Sequence, residues 1–223
     1  MKTSQHKSII VFGTGGHAQV IADCILQQPD KYEFIGFVDP FAGHDMVMDY
    51  PVFKDVRNIT IDSHIFGIIG VGANYLREKI AFEINDLNMS HFTWESVIHP
   101  SAVISPRAHI GVGCFLNAGV IINHNAQIHD HVSLNTGTII EHDCIIASYA
   151  STGPHVAMGG TCKIGERSYI GIGAHIIHGL IIAEDCIIGA GSLLTTICPT
   201  PNEIWYGMPA KRIRTRFKTD AYL

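Results

Sequence analysis

Residues 138–151 read TIIEHDCIIASYAS, an isoleucine-rich run interrupted by Glu141, His142 and Asp143. A carboxylate that accepts from one imidazole nitrogen fixes the tautomer and makes the other nitrogen a better base. Asp143 beside His142 is such a pair, provided the chain turns there, because neighbours on a straight strand point to opposite faces. His124 and His178 lie 18 residues before and 36 residues after His142, with Gly160 in the intervening place. Histidines strung along one edge form a ladder and not a closed tetrahedral set, so no metal is expected. His124 sits between Asn123 and Asn125, whereas His142 has carboxylates on both sides. His142 is the candidate general base, with Asp143 to orient it.

A second chemical signal is GTGGHA, residues 13–18. Gly13, Gly15 and Ala18 satisfy G-x-G-x-x-G/A, and Asp39 follows at about the distance of a ribose-binding acid. Glycines there let backbone amides approach a phosphate at a helix N-terminus. Three readings are open: a nicotinamide cofactor, a nucleotide-bearing substrate, and a glycine turn with no ligand. Fewer than a hundred residues of this type are roughly one mononucleotide-binding half, which favours the nucleotide-bearing substrate.

Two kinds of element must position these groups. Residues 8–95 alternate SIIVF, AQVIADCILQ, EFIGFVD, HIFGIIGVG and a helical stretch from Asn74 to Asn85, the pattern of a small parallel α/β unit. From about Ile98 the period changes to six. Between Ile104 and Leu194, fifteen of sixteen positions taken every sixth residue are large aliphatics, and Thr152 is the exception. This is the hexapeptide repeat of a parallel β-helix. Three hexads close one coil, so residues 18 apart stack at roughly 4.8 Å. Cys114, Cys144, Cys162, Cys186 and Cys198 all lie four places after a hexad leader, in a column shared with Ala126, Ala150, Ala174, Ser168, Ser192 and Thr138. They read as small core residues rather than redox or metal groups.

Composition narrows the classes. Of 223 residues 47% are hydrophobic and only 16% charged, which argues against disorder. A formal charge of −5 leaves no basic surplus for nucleic acid, although Lys211, Arg212, Arg214, Arg216 and Lys218 cluster near the end. MKTSQHKSIIVFGTGG has too short an apolar stretch for a signal peptide, and no segment approaches a membrane span of about 18 apolar residues. A cytoplasmic protein with reduced thiols is expected.

The motifs IIVFGTGGHAQVIAD, FVDP, GVGANYLREKI, VIHPSAVISP, LNTGTIIEHDCII and YGMPAKRI, together with the hexads, resemble those of a bacterial sugar acyltransferase family. It is the group that includes the sialic-acid O-acetyltransferases and the bacillosamine-pathway N-acetyltransferases. The resemblance implies a Rossmann-like α/β domain over residues 1–97 that holds a nucleotide-sugar. It also implies a left-handed parallel β-helix over 98–223 that trimerises and binds acetyl-CoA between subunits. His142 and Asp143 then resemble the catalytic pair, and Gly15, Gly16, His17 and Asp39 the substrate contacts, with Asn74 and Arg77 shaping that site. Asn135 would lie near the acetyl group. Gly160, Ile172, Gly173, Ala190 and Gly191 would line the coenzyme, and Lys211 of YGMPAKR would meet its phosphates. One place departs from the pattern. Many relatives carry a histidine nine places after the base, where this chain has Ser151, and His155 stands where relatives have glycine. Ser151 or His155 is expected to contact the thioester. The implied reaction is acetyl transfer to the amine of a nucleotide-linked 4-amino-4,6-dideoxy sugar in bacterial surface-glycan synthesis. The alternatives are O-acetylation of a sialic- or legionaminic-type sugar, an NAD-dependent oxidoreductase, and a non-catalytic β-helix scaffold.

Overall fold

The computed structural model describes residues 6–60, 64–217 and 219–220. Lys218 and the first five residues lie outside that range. The N-terminal unit runs β1 (Lys7–Phe12), α1 (Gly16–Leu26), β2 (Tyr32–Val38), β3 (Met46–Val47), β4 (Tyr50–Phe53), β5 (Ile65–Ile69), α2 (Asn74–Asp86) and β6 (Phe92–Trp94). Its sheet has the order β3-β4-β2-β1-β5-β6, parallel except for the β3–β4 hairpin. The apolar runs of β1 and β5 are buried, as a sheet covered on both faces requires. α1 buries Ala18, Ile21, Ala22 and Ile25, the i, i+3, i+4, i+7 stripe of a helix laid on a sheet. Gly70, at the end of β5, is a close approach: a Cβ there would lie 2.6 Å from the Cα of Ala18.

The rest is a triangular parallel β-helix of two-residue rungs. The first face starts at Val97–Ile98, the second at Val103–Ile104 and the third at His109–Ile110. Phe115 pairs with Ser133, Ile121 with Ile139, and Gln127 with Ile145, the one-coil step expected from the hexads. Val97 already belongs to the first rung, paired with Phe115. Hexad leaders point inward, and from Leu116 to Leu194 all are buried, Thr152 included. The cysteine column is a second inward ladder. It also holds Val120, Val132 and Val156, so its rule is burial rather than small size. All six cysteines are free thiols. Several donate to a corner carbonyl of the next coil, Cys144 to Gly159 O at 3.2 Å and Cys162 to Ile177 O at 3.1 Å.

Thr152 breaks the aliphatic ladder because it has partners in the core. Its hydroxyl meets that of Thr138 at 2.8 Å and accepts from the Asn135 N–H at 3.2 Å, and its carbonyl accepts from Asn135 Nδ2 at 2.7 Å. A buried hydroxyl so paired costs little.

The faces differ outside. The outward residues of the first face are mostly buried under the N-terminal unit and the C-terminal hairpin, among them Phe115, Ser133, Ser151 and Ile187. The third face is largely polar, with His109, Gln127 and Lys163 exposed. The second face carries Val103, Ile121, Ile139, Ala157, His175 and Leu193 at or near the surface, apolar but for His175. A hairpin of Glu203–Gly207 and Ala210–Thr215 adds to the first face beyond Ile187–Ile188, and Ala210 closes the last coil. Among the described residues, no helix is long and apolar enough to cross a membrane.

Candidate active site

His142 follows the rung Ile139–Ile140, at the corner between the second and third faces. Asp143 adopts φ +59°, the left-handed conformation that turns the chain and brings both side chains to the same side. His142 Nδ1 lies 2.9 Å from Asp143 Oδ2. The carboxylate can only accept, so a neutral imidazole there carries its proton on Nδ1 and leaves Nε2 a bare acceptor. The ring leans over the next coil, where a Cβ on Gly160 would come within 2.5 Å of Nε2. Gly160 is thus the floor under the imidazole. The isoleucine run is not broken at all: Ile140, Cys144 and Ile146 remain in the core while Glu141, His142 and Asp143 form the corner.

Most of the residues expected around the coenzyme, but not Gly160, which lies at the His142 corner, gather at the corner between the first and second faces. Asn135, His155, Ile172, Gly173, Ala190 and Gly191 lie along it. Its turn column reads Gly119, Gly137, His155, Gly173 and Gly191, all with positive φ. Open space surrounds Gly173 and Gly191, and Ile172 is 55% exposed. His155 is exposed and its ring lies over Gly137, where a Cβ would meet Nδ1 at 2.7 Å. Ser151 differs from the expectation. It sits on the first face, 5% exposed, and its hydroxyl donates to Asn74 Oδ1 at 2.7 Å. It has no surface to offer a thioester, so His155 is the exposed member of that pair.

Asn74 and Arg77 also have a task other than the expected one. Both are 1% exposed. Asn74 Nδ2 donates to Arg167 O at 2.9 Å, and Arg77 donates to His131 O at 2.9 Å, Tyr149 O at 2.6 Å and Val71 O at 3.1 Å. They clamp α2 to the β-helix corner between the third and first faces. His17 reaches the first face as well, with Nε2 3.3 Å from the Ser133 hydroxyl and its ring edge-on to Phe115. Burial, reinforced by the Arg77 charge, pushes its pKa from 6.5 down to about 4, so it is neutral. Gly15 and Gly16 are exposed at the start of α1, with no atom where a Cβ would stand. Asp39 accepts from Thr14 Oγ1 at 2.7 Å and from the Phe41 N–H at 2.9 Å, tying the glycine turn to the end of β2. A cavity of about 550 Å³ opens there, lined by Phe12, Gly13, Asp39, Phe41, Arg57 and Lys79. Lys211 is exposed on the C-terminal hairpin, and its basic neighbours Arg212 and Arg214 pair with Glu203 and Asp220.

Comparisons with known proteins agree with this architecture. Residues 8–84 match the PglD N-terminal domain family, and residues 161–196 match the bacterial transferase hexapeptide (six repeats) family. The structure of PerB from Caulobacter crescentus, a GDP-perosamine N-acetyltransferase solved with CoA and GDP-perosamine, is 30% identical, with a TM-score of 0.81 over 93% of this chain and 97% of that one. The chain belongs to the acetyl-CoA-dependent sugar acetyltransferases of the left-handed β-helix family. Another similar structure in this sugar acetyltransferase fold is the acetyltransferase domain of PglB from Neisseria gonorrhoeae, solved with acetyl coenzyme A. It is 27% identical, with a TM-score of 0.84 over 94% of this chain and all of that domain. Among curated proteins, mitochondrial gamma carbonic anhydrase 1 of Arabidopsis thaliana is 26% identical over 161 residues, 64% of this chain, which spans only 58% of that protein.

Asn125 is the site residue that sequence reasoning missed. Its Nδ2 donates to Asp143 Oδ1 at 2.7 Å from one coil below. The signal was available, since Asn125 and Asp143 share a column one coil apart.

Proposed function

We propose that the protein transfers the acetyl group of acetyl-CoA to the amine of a nucleotide-linked 4-amino-4,6-dideoxy sugar, with His142 as general base, in the synthesis of a bacterial surface glycan. The observation that carries this reading is the His142–Asp143 pair, with Nε2 bare above Gly160, in a chain similar along nearly its whole length to an enzyme solved with CoA and a GDP-amino-sugar. His142 Nε2 takes a proton from the amine as its nitrogen adds to the thioester carbonyl carbon. The C–S bond then breaks, the imidazolium returns the proton to the departing thiolate, and the products are an amide and free CoA. The open glycine edge at 173 and 191 and exposed Ile172 fit a pantetheine arm, with His155 beside them.

Within one chain the glycine turn faces the first face, and His142 occupies the corner opposite it. A sugar nucleotide held at Gly15, Gly16 and Asp39 would therefore meet the His142 of another copy. The semi-exposed apolar second face offers a packing surface for such a copy, and a homotrimer supplies the geometry. The experiment is thiol release from acetyl-CoA with a panel of UDP-, dTDP- and GDP-linked amino sugars. Acetylated product that resists mild alkali is expected, because an amide does so and an ester does not. Release with none of these acceptors, or undiminished release by His142→Ala, overturns the reading.

A further inference from the structure

Asp143 is a poor anchor if left alone. His142 and Asp143 side chains are 57% and 44% exposed, so water competes for both ends of their hydrogen bond. The fold supplies a second hold. The Asp143 N–H donates to His124 O at 2.9 Å, which stacks the two corners in register. Both corner residues, Asn125 at φ +59° and Asp143 at φ +59°, turn in the left-handed region. Their side chains consequently lie one above the other, and Asn125 Nδ2 reaches Asp143 Oδ1 at 2.7 Å while Oδ2 faces His142 Nδ1 at 2.9 Å. The two oxygens of one carboxylate are thus occupied by two different coils.

We propose that Asn125 is a positioning residue, which fixes the Asp143 carboxylate so that it holds the His142 imidazole in the Nδ1–H tautomer with Nε2 free. This rests on the reading of His142 as the base and deepens it. The Asp143 carboxyl lies below its usual range, first through the Asn125 hydrogen bond and next through that of His142. The other titratable groups beside this pair are Glu141 on the same corner and His124 one coil before. Gly160 and Thr161 of the following coil bring no charge. An asparagine at a left-handed corner also has an ordinary explanation, since Asn tolerates that conformation better than most residues. Glycine tolerates it better still, and this separates the two roles.

The test uses the full-length protein labelled with ¹⁵N-histidine, with the His142 signals assigned through His142→Gln. Asn125→Gly keeps the turn and deletes the donor, while Asn125→Asp replaces the donor with a second carboxylate set against Asp143. In both variants the share of neutral His142 carrying its proton on Nδ1 is expected to fall. The kcat is expected to drop by about tenfold, the lower end of the factor for one hydrogen bond to a charged group, with the KM for acetyl-CoA unchanged. An unchanged tautomer ratio in folded Asn125→Gly or Asn125→Asp overturns the proposal and leaves Asn125 a turn residue. A shifted ratio supports it. If that shift leaves kcat untouched, the positioning stands and the general-base reading of His142 fails.

Discussion

The imidazole of His142 owes its direction to a side chain that is missing. Gly160 lies beneath it, and a Cβ there would stand 2.5 Å from Nε2 and 2.6 Å from Cε1. Gly160→Ala must therefore push the ring aside, and a misplacement of about 1 Å can cost a hundredfold in rate. The variant is expected to keep its melting temperature within a few degrees and to lose about a hundredfold in kcat, measured by thiol release. The sequence showed that Gly160 shares a column with His142, because column spacing is periodic. It could not show that the ring leans toward the later coil, which depends on a rotamer. For the same reason Asn125 was within reach of the spacing rule, whereas its bond to Asp143 needed the left-handed φ at both corners.

At the scale of elements, α2 is fastened to the β-helix by a buried Arg77 whose donors end on backbone carbonyls of two successive coils, His131 and Tyr149. Arg77→Met strips those carbonyls of a charged donor, and the loss is expected to be about 3 kcal/mol. In a chain of this length that lowers the first thermal transition by roughly 6–12 °C, as calorimetry would record. A melting temperature unchanged in Arg77→Met would remove the clamp from the account. This contact was invisible in the sequence, since Asn74 and Arg77 meet partners 54 to 94 residues away. The rungs themselves were legible because one rule repeats over every coil. The β3–β4 hairpin and β6 were not, being too short for alternation to show.

For the molecule as a whole, the contact between the two units is sensitive to acid. His17 and His131 both lie in it, and burial followed by the Arg77 charge lowers each from 6.5 to about 4. Between those values the unfolded chain binds protons that the folded one refuses. Their stabilisation is therefore complete above about pH 6.5 and is lost progressively as the pH falls toward 4. Thermal melts across that window are expected to decline with acid in the native chain and to decline less in His17→Gln/His131→Asn. Assembly is testable on the second face. Ile139→Asp places a charge between Ile121 and Ala157, and sedimentation is expected to show smaller particles with lost activity.

The linked hydroxyls of Thr138 and Thr152 bear on how such a chain finds its own order. An aliphatic ladder repeated coil after coil is degenerate, so a segment that slipped by one full turn would still bury isoleucine on isoleucine. A slipped alignment would carry the Thr152 hydroxyl away from Thr138 and set it against hydrocarbon, with Asn135 left facing the wrong carbonyl. The Thr138–Thr152 pair is a polar address in a mostly aliphatic stack, and it marks which coils are neighbours at that point. It lies a short way along the chain from the corner that carries His142, where an error of one coil would take Gly160 from beneath the imidazole and Asn125 from its carboxylate.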